Sequence, residues 1–410
     1  MKNLFSLCIC ALFIIISGCG PEPLTSEDIK TILSKEIIID KQINPTEINL
    51  YVDLSSSMQN YLNPALSERS DILLYENYIR NIFASRQNAK INIYGFGDSI
   101  SFLGSNNNVI QSLLNKDIYN DGMSRINLGF DKIIKDTTKS LNFVLSDAIY
   151  EDAGASGNTF GFLISPFIKE QVTRNKLFGV LVNKIGYYGL ESKKVYKTPI
   201  YLFIFGQNSH NMFIENNYLA ICDDYFLISP NNRYNVSMNS SQNTDLIFQE
   251  PLFTGVEIQD FSQAVNLTLN FERDLANQKI KNNSINGNYS VIVFEKNVTF
   301  NDNTGTYQSD SVWKRSPLNN PQCKLAVNRK DAERERVTLD FAQIFSEQNS
   351  YKLYKLIIIS DIHKSITDKY NTINQNDIER TYRLNDFFNN LQNHINENPI
   401  PLFTYYIAIK

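Results

Sequence analysis

The chain has 410 residues, 42% of them hydrophobic, with 26 Phe and 22 Tyr and a formal net charge of −4. This is ample core-forming material and more length than one domain usually needs, so a globular body of two domains is expected. Acidic and basic residues are interspersed, which argues against a nucleic-acid partner.

Lys2 is followed by an apolar run from Leu4 to Ile16. It is too short to span a bilayer as a stable helix and suits a signal peptide. It ends in Ile16-Ser17-Gly18-Cys19, which resembles the bacterial lipobox. The resemblance implies that 1–19 is a lipoprotein signal and that Cys19 is lipidated as the mature N-terminus. More than one acyl chain gives stable membrane anchoring. The expected location is the cell envelope, lipid-anchored. With Gly20 in place of Asp, that means the outer membrane of a Gram-negative cell, and otherwise the outer face of the cell membrane. No second apolar run of about 18 residues occurs, so lipid alone is expected to hold the protein to the membrane. Cys8 and Cys10 leave with the signal. Cys222 and Cys323 remain, either as one disulfide or as two buried thiols. There is no C-x-x-C and no cysteine–histidine cluster, which argues against structural zinc.

Residues 20–45 read as a tether with a short helix in one weakly amphipathic stretch, Glu27 to Ile39. From 46, strand and helix patterns alternate. Ile48-Asn49-Leu50-Tyr51-Val52 reads as a buried strand. Ser67 to Ser85 carries a helical stripe through Tyr75, Tyr78, Ile79, Ile82 and Phe83. Lys90 to Gly97 alternates as a strand, with Ser99 to Leu103 as a hairpin partner. Val109 to Leu114 and Asn127 to Lys135 are helical, with a turn at Asn120-Asp121-Gly122 between them. Leu141 to Leu145 is a strand, Phe160 to Gln171 is amphipathic, and Lys176 to Asn183 and Thr198 to Gly206 are strands. Pro199 suits the start of the latter. A closing helix is expected around Asn208 to Tyr218. The alternation implies an α/β fold with a doubly wound, mostly parallel sheet, in which ligands gather at the carboxyl ends of the strands.

The first strand runs into Asp53-Leu54-Ser55-Ser56-Ser57. One carboxylate and two hydroxyls on one turn present hard oxygens to a point, the donor chemistry of Mg²⁺ or Mn²⁺. The plainer alternative is that the serines cap the next turn and Asp53 opens a helix. Asp147 lies just past the end of another strand. D-x-S-x-S after a first strand resembles the metal-ion-dependent adhesion site (MIDAS) of von Willebrand factor A (vWA) domains. In that family a second hydroxyl-bearing loop and an aspartate after the fourth strand complete the metal site. The resemblance implies a Rossmann-like vWA domain over 46–210 with Asp53, Ser55, Ser57, Ser124 and Asp147 as metal ligands. Ser124 stands where the family usually has Thr, which keeps the oxygen and loses a methyl. Ala148 stands where the family has the glycine of its T-D-G motif.

From 220 to 410 strands are separated by polar Asn and Ser clusters: Tyr225 to Ile228, Val265 to Phe271, Tyr289 to Phe294, Val298 to Phe300, Val337 to Phe341 and Tyr354 to Ile359. Several alternate apolar and polar, which implies antiparallel pairing and a β-rich, sandwich-like second domain. The αβ tail, a helix over Leu384 to Ile395 and a strand over Pro401 to Ile409, can join either domain. Ser360-Asp361-Ile362-His363 resembles the S-D-x-H that opens calcineurin-like metallophosphoesterases. That chemistry needs two metals and about eight donors, and the remainder of the chain offers only His394 as a further histidine. No G-x-S-x-G elbow and no phosphate loop is present.

The sequence is therefore read as a lipid-anchored envelope protein and not an enzyme. It holds Mg²⁺ or Mn²⁺ and binds a protein ligand through an acidic side chain. The alternatives are a metal-independent scaffold of a membrane-associated complex and, behind it, a hydrolase using Asp361 and His363.

Overall fold

The computed structural model describes residues 24–34, 43–66, 71–84, 88–105, 108–135, 140–149, 166–167, 169–170, 177–218, 221–228, 234–240, 244–250, 253–258, 265–274, 288–316, 323–331, 334–344, 351–361, 364–374, 376–397 and 403–409. The expected signal with Cys19, most of the stretch 160–171, and His363 lie outside these residues. Among the described residues no helix is long and apolar enough to cross a membrane.

The protein is mixed α/β. Its helices are α1 (Ser26–Ser34), α2 (Asp71–Ala84), α3 (Asn108–Leu113), α4 (Ile126–Lys135), α5 (Asn211–Asn217), α6 (Lys364–Tyr370) and α7 (Leu384–Glu397). The first sheet comprises β1 (Glu47–Asp53), β2 (Lys90–Phe96), β3 (Ile100–Gly104), β4 (Leu141–Ser146), β5 (Leu177–Gly189), β6 (Lys194–Gly206) and β7 (Asp224–Ile228), in the order β3-β2-β1-β4-β6-β5-β7. Its centre, β2-β1-β4, is parallel. The outer pairings are antiparallel, so four of the seven strands run one way. The β5–β6 link is the tight turn 190–193, and so short a link can join only antiparallel strands.

Both faces of this sheet are covered, which is why β1 and β4 read as continuous buried runs. One face packs Ile48, Leu50 and Val52 against Tyr75, Ile79 and Ile82 of α2. The other packs Tyr51, Val144 and Phe203 against Ile126, Phe130 and Ile133 of α4. The amide of Asn49 breaks the apolar run. It donates to Asn142 at 2.9 Å and accepts from Asn92 at 2.9 Å, a ladder across three strands that satisfies buried polar groups.

The remaining strands are β8 (Tyr234–Ser240), β9 (Thr244–Glu250), β10 (Phe253–Ile258), β11 (Val265–Asp274), β12 (Asn288–Asn301), β13 (Thr306–Ser309), β14 (Lys314–Arg315), β15 (Cys323–Asp331), β16 (Arg334–Ile344), β17 (Tyr351–Asp361), β18 (Asn371–Thr372), β19 (Thr381–Tyr382) and β20 (Phe403–Ile409). They form a seven-stranded sheet, β13-β12-β17-β20-β10-β9 with β14 beside β12, a four-stranded sheet, β15-β16-β11-β8, and the small pair β18-β19. The polar stretch 301–336 contains β13, β14 and β15.

The αβ tail joins both halves. Phe387 of α7 stacks edge-on to Phe178 and Phe203 of the first sheet, and Phe388 does the same to Phe226. The following strand, β20, lies inside the second sheet between β17 and β10. The strand at 224–228, expected with the second half, is the edge of the first sheet. Thr25 and Asp28 cap α1 reciprocally. This helix, the short one expected within the tether, buries Ile29 and Leu33 against Val298, Leu353 and Tyr406 of the second sheet. Cys222 is buried and forms no disulfide among the described residues.

Candidate functional site

β1 delivers Asp53 to the carboxyl end of the parallel centre, where it is fully buried. The chain turns at once, with Ser55 N–H donating to Asp53 Oδ1 at 2.9 Å, a local turn that Asp favours. A 3-10 helix, Ser56–Leu62, follows. Ser55 stands at its start but makes no side-chain capping bond. Its hydroxyl instead shares a 3.1 Å hydrogen bond with the Ser57 hydroxyl. The simple capping role therefore does not describe this serine.

A second loop is strapped to the first through its backbone. Ser56 N–H donates to Asp121 O at 3.0 Å, and Asp121 N–H donates to Leu54 O at 3.1 Å. The strap carries Ser124 to Asp53, where its hydroxyl donates to Oδ2 at 2.6 Å. Gly97 makes room for it, since a Cβ there would lie 2.0 Å from Asp121 Oδ2.

The third contribution comes from the end of β4. Ser146 Oγ donates to Asp53 Oδ2 at 2.8 Å and accepts from Ala148 N–H at 3.0 Å. Asp147, next along, is buried, and its Oδ1 accepts from Ile149 N–H at 3.0 Å. Ala148 has a φ of 60°, the left-handed region in which glycine is unstrained. The backbone form that favours glycine after this aspartate is thus kept by an alanine.

Of the expected residues, Asp53, Ser55, Ser57 and Ser124 are linked in one hydrogen-bonded cluster, and Asp147 adjoins it through its chain neighbour Ser146. Ser146 and Asp121 were not anticipated. Ser146 had a readable signal, a hydroxyl at a strand's carboxyl end directly before Asp147. The role of Asp121 is carried by its backbone, which sequence does not display.

Burial raises the Asp53 pKa, and hydrogen bonds from Ser124, Ser55 and Ser146 pull it back. Among the described residues no Lys or Arg forms an ion pair with Asp53. A buried carboxylate without a cation favours its protonated form or a bound positive charge. The hydroxyl and carboxylate oxygens gathered here fit a hard divalent ion such as Mg²⁺ or Mn²⁺. Among the described residues no group of three or more His, Cys, Asp or Glu is placed to hold a metal, so any site here depends on its serines.

The rival residues stand apart. Asp361 ends β17 in the second sheet. His210 is buried just past the carboxyl end of β6, and the antiparallel β4–β6 register puts that end opposite Asp53. Burial pushes its pKa down to about 4. His394 lies in α7.

Fold and site together define a mixed α/β protein with a hydroxyl–carboxylate cluster at the carboxyl end of parallel strands. No protein-family model matches the chain, and no curated protein is detectably similar to it.

Proposed function

We propose that this is a lipid-anchored cell-envelope protein, not an enzyme, that binds a protein partner through a divalent metal held by a vWA-like domain. The single observation that carries the reading is the hydrogen-bonded cluster on the buried Asp53, whose carboxylate accepts directly from the hydroxyls of Ser124 and Ser146 and from Ser55 N–H, with Ser57 joined through the Ser55 hydroxyl. These residues come from the turn after β1, the loop before α4 and the end of β4, and Asp147 follows the fourth strand as the vWA resemblance implies. Asp53, Ser55, Ser57, Ser124 and Asp147 would hold Mg²⁺ or Mn²⁺. The bound ion supplies a point of positive charge for a partner's carboxylate. The chain's own part is to keep the hydroxyls oriented and the carboxylate out of water. The vWA-like domain takes 46–210 together with the edge strand at 224–228, the β-rich domain lies in the remainder of 220–410, and Cys19 is the lipid attachment.

The test is calorimetric titration of Mg²⁺ and Mn²⁺ into the full chain in detergent, against Asp53→Ala. Saturable binding by the wild type alone is expected, and equal heats from both proteins would remove the metal from the mechanism.

One observation favours a second reading. Asp53 already accepts three hydrogen bonds from within the chain, so the cluster is internally satisfied as a scaffold's would be. On that reading Asp53→Ala leaves partner binding intact.

A further inference from the structure

The β5–β6 hairpin is longer than the sheet that holds it. The two strands pair with each other from Leu177 and Gly206 out to Gly189 and Lys194. β4 pairs with β6 only over residues 201–205, and β7 pairs with β5 only over residues 178–182. The stretch 183–199 therefore overhangs. It leaves the sheet at the end where Tyr201 faces Ser146, which is the end that holds Asp53 and Asp147.

The root of the overhang is tied to the candidate site. Thr198 Oγ1 donates to Tyr61 OH at 3.1 Å, and Tyr61 OH donates to Pro199 O at 3.1 Å. Asn60 Nδ2 donates to Tyr187 OH at 2.8 Å. Asn60 and Tyr61 belong to the 3-10 helix that also contains Ser57. The arm and the serine loop are thus one bonded unit. The charge of Asp147 contributes, after burial, to raising the Tyr187 pKa.

The tip has a distinct chemistry. In a chain of net charge −4, the stretch 183–199 holds four lysines and one glutamate. Lys193, Lys194 and Lys197 are exposed, and Leu190 is 61% exposed. Ile149, two residues beyond Asp147, is 45% exposed. Lys193 sits at a φ of 55°, where glycine or asparagine would be unstrained. A strained, charged residue at a tip is a reason to look for function there.

We propose that this hairpin is the docking arm of the candidate site and that its partner is an acidic protein segment. The segment lays carboxylates along the lysines and an apolar side chain against Leu190 at the tip. The inference rests on the metal reading only for the one carboxylate that would reach the ion. Complementary charge at the arm governs capture and its salt dependence.

The test uses labelled poly-L-glutamate as probe and the full chain in non-ionic detergent with Mg²⁺. Lys193→Glu combined with Lys194→Glu is expected to weaken binding about tenfold or more at low salt. The same variant should leave the Mg²⁺ titration and the melting temperature unchanged. If wild type and variant bind the probe equally, or neither binds it, the arm is not the docking surface. A variant defective only toward anionic lipid vesicles also overturns the proposal, in favour of a membrane contact. If Mg²⁺ fails to bind while the variant still loses the probe, the arm stands and the metal reading falls.

Discussion

Asp53 is buried among hydroxyls, and the loss of water is the largest influence on its pKa, raising it from 3.8. The unfolded chain ionises this group at its ordinary value, whereas the folded, metal-free protein keeps the proton to higher pH. The resulting stability is present in full below the unfolded pKa and is lost as pH rises through the folded one. Without divalent metal, wild type should therefore lose stability relative to Asp53→Asn as pH is raised from about 4 upward. Thermal melts of both across that range decide it, and a gap that is flat or of opposite slope contradicts the assignment. Metal needs the ionised form, so Mg²⁺ affinity should fall as pH is lowered across the same window.

Two neighbours test the loops that build the cluster. Ala148 at φ 60° carries a left-handed strain of roughly 1–2 kcal/mol, part of which glycine's greater unfolded-state freedom offsets. Ala148→Gly should stabilise by at most ~1 kcal/mol in denaturant unfolding. Gly97→Ala places a Cβ 2.5 Å from Asp121 Cβ, so the loop bearing Ser124 must move. A loss of about 1–3 kcal/mol is expected from such overpacking, together with weaker Mg²⁺ binding in calorimetry.

At the scale of elements, α7 shows what periodicity can reveal and where it stops. Its stripe of Phe387, Phe388, Leu391 and Ile395 is legible as a buried face. The surface it covers is not, because a 3.6-residue period marks the face and carries no information about its partner. Phe387→Ala removes rings from Phe178 and Phe203 and should cost about 3–5 kcal/mol, read by denaturant unfolding. β5 and β6 are legible as strands for the same kind of reason, since long apolar runs must be buried. Their antiparallel entry into the sheet is hidden, because a run buried on both faces has no direction. Their turn also lacks the usual glycine or asparagine and places Lys193 at positive φ instead.

The site follows the same division. Asp53, Ser55 and Ser57 share one loop, so their spacing in sequence is nearly their spacing in space. Asp147 comes close only because β1 and β4 are neighbours in parallel register, and Ser124 only because the Asp121 backbone straps its loop to the first, placements that only the vWA resemblance implies in advance. The signal of Ser146, a hydroxyl at a strand's carboxyl end, becomes specific only once the strand beside it is known to deliver Asp53.

For the whole molecule, the two halves are interlocked. α7 covers the first sheet while β20 sits within the second. Tyr201 OH meets Thr381 Oγ1 at 2.7 Å, and Asp224 accepts from both Lys369 and Tyr370. Unfolding should therefore be one cooperative transition, with coincident circular-dichroism and tyrosine-fluorescence melts. Deleting residues 384–410 should abolish folding of both halves, whereas separable halves would leave one intact transition. The β5–β6 arm extends from the end of the first sheet that holds the candidate site.

The most direct test of the account is Mg²⁺ titration by calorimetry into wild type and Asp53→Ala at neutral pH. Saturable binding to the wild type, absent from the variant, is the predicted result. Binding by neither, or by both alike, would contradict a metal site built on Asp53.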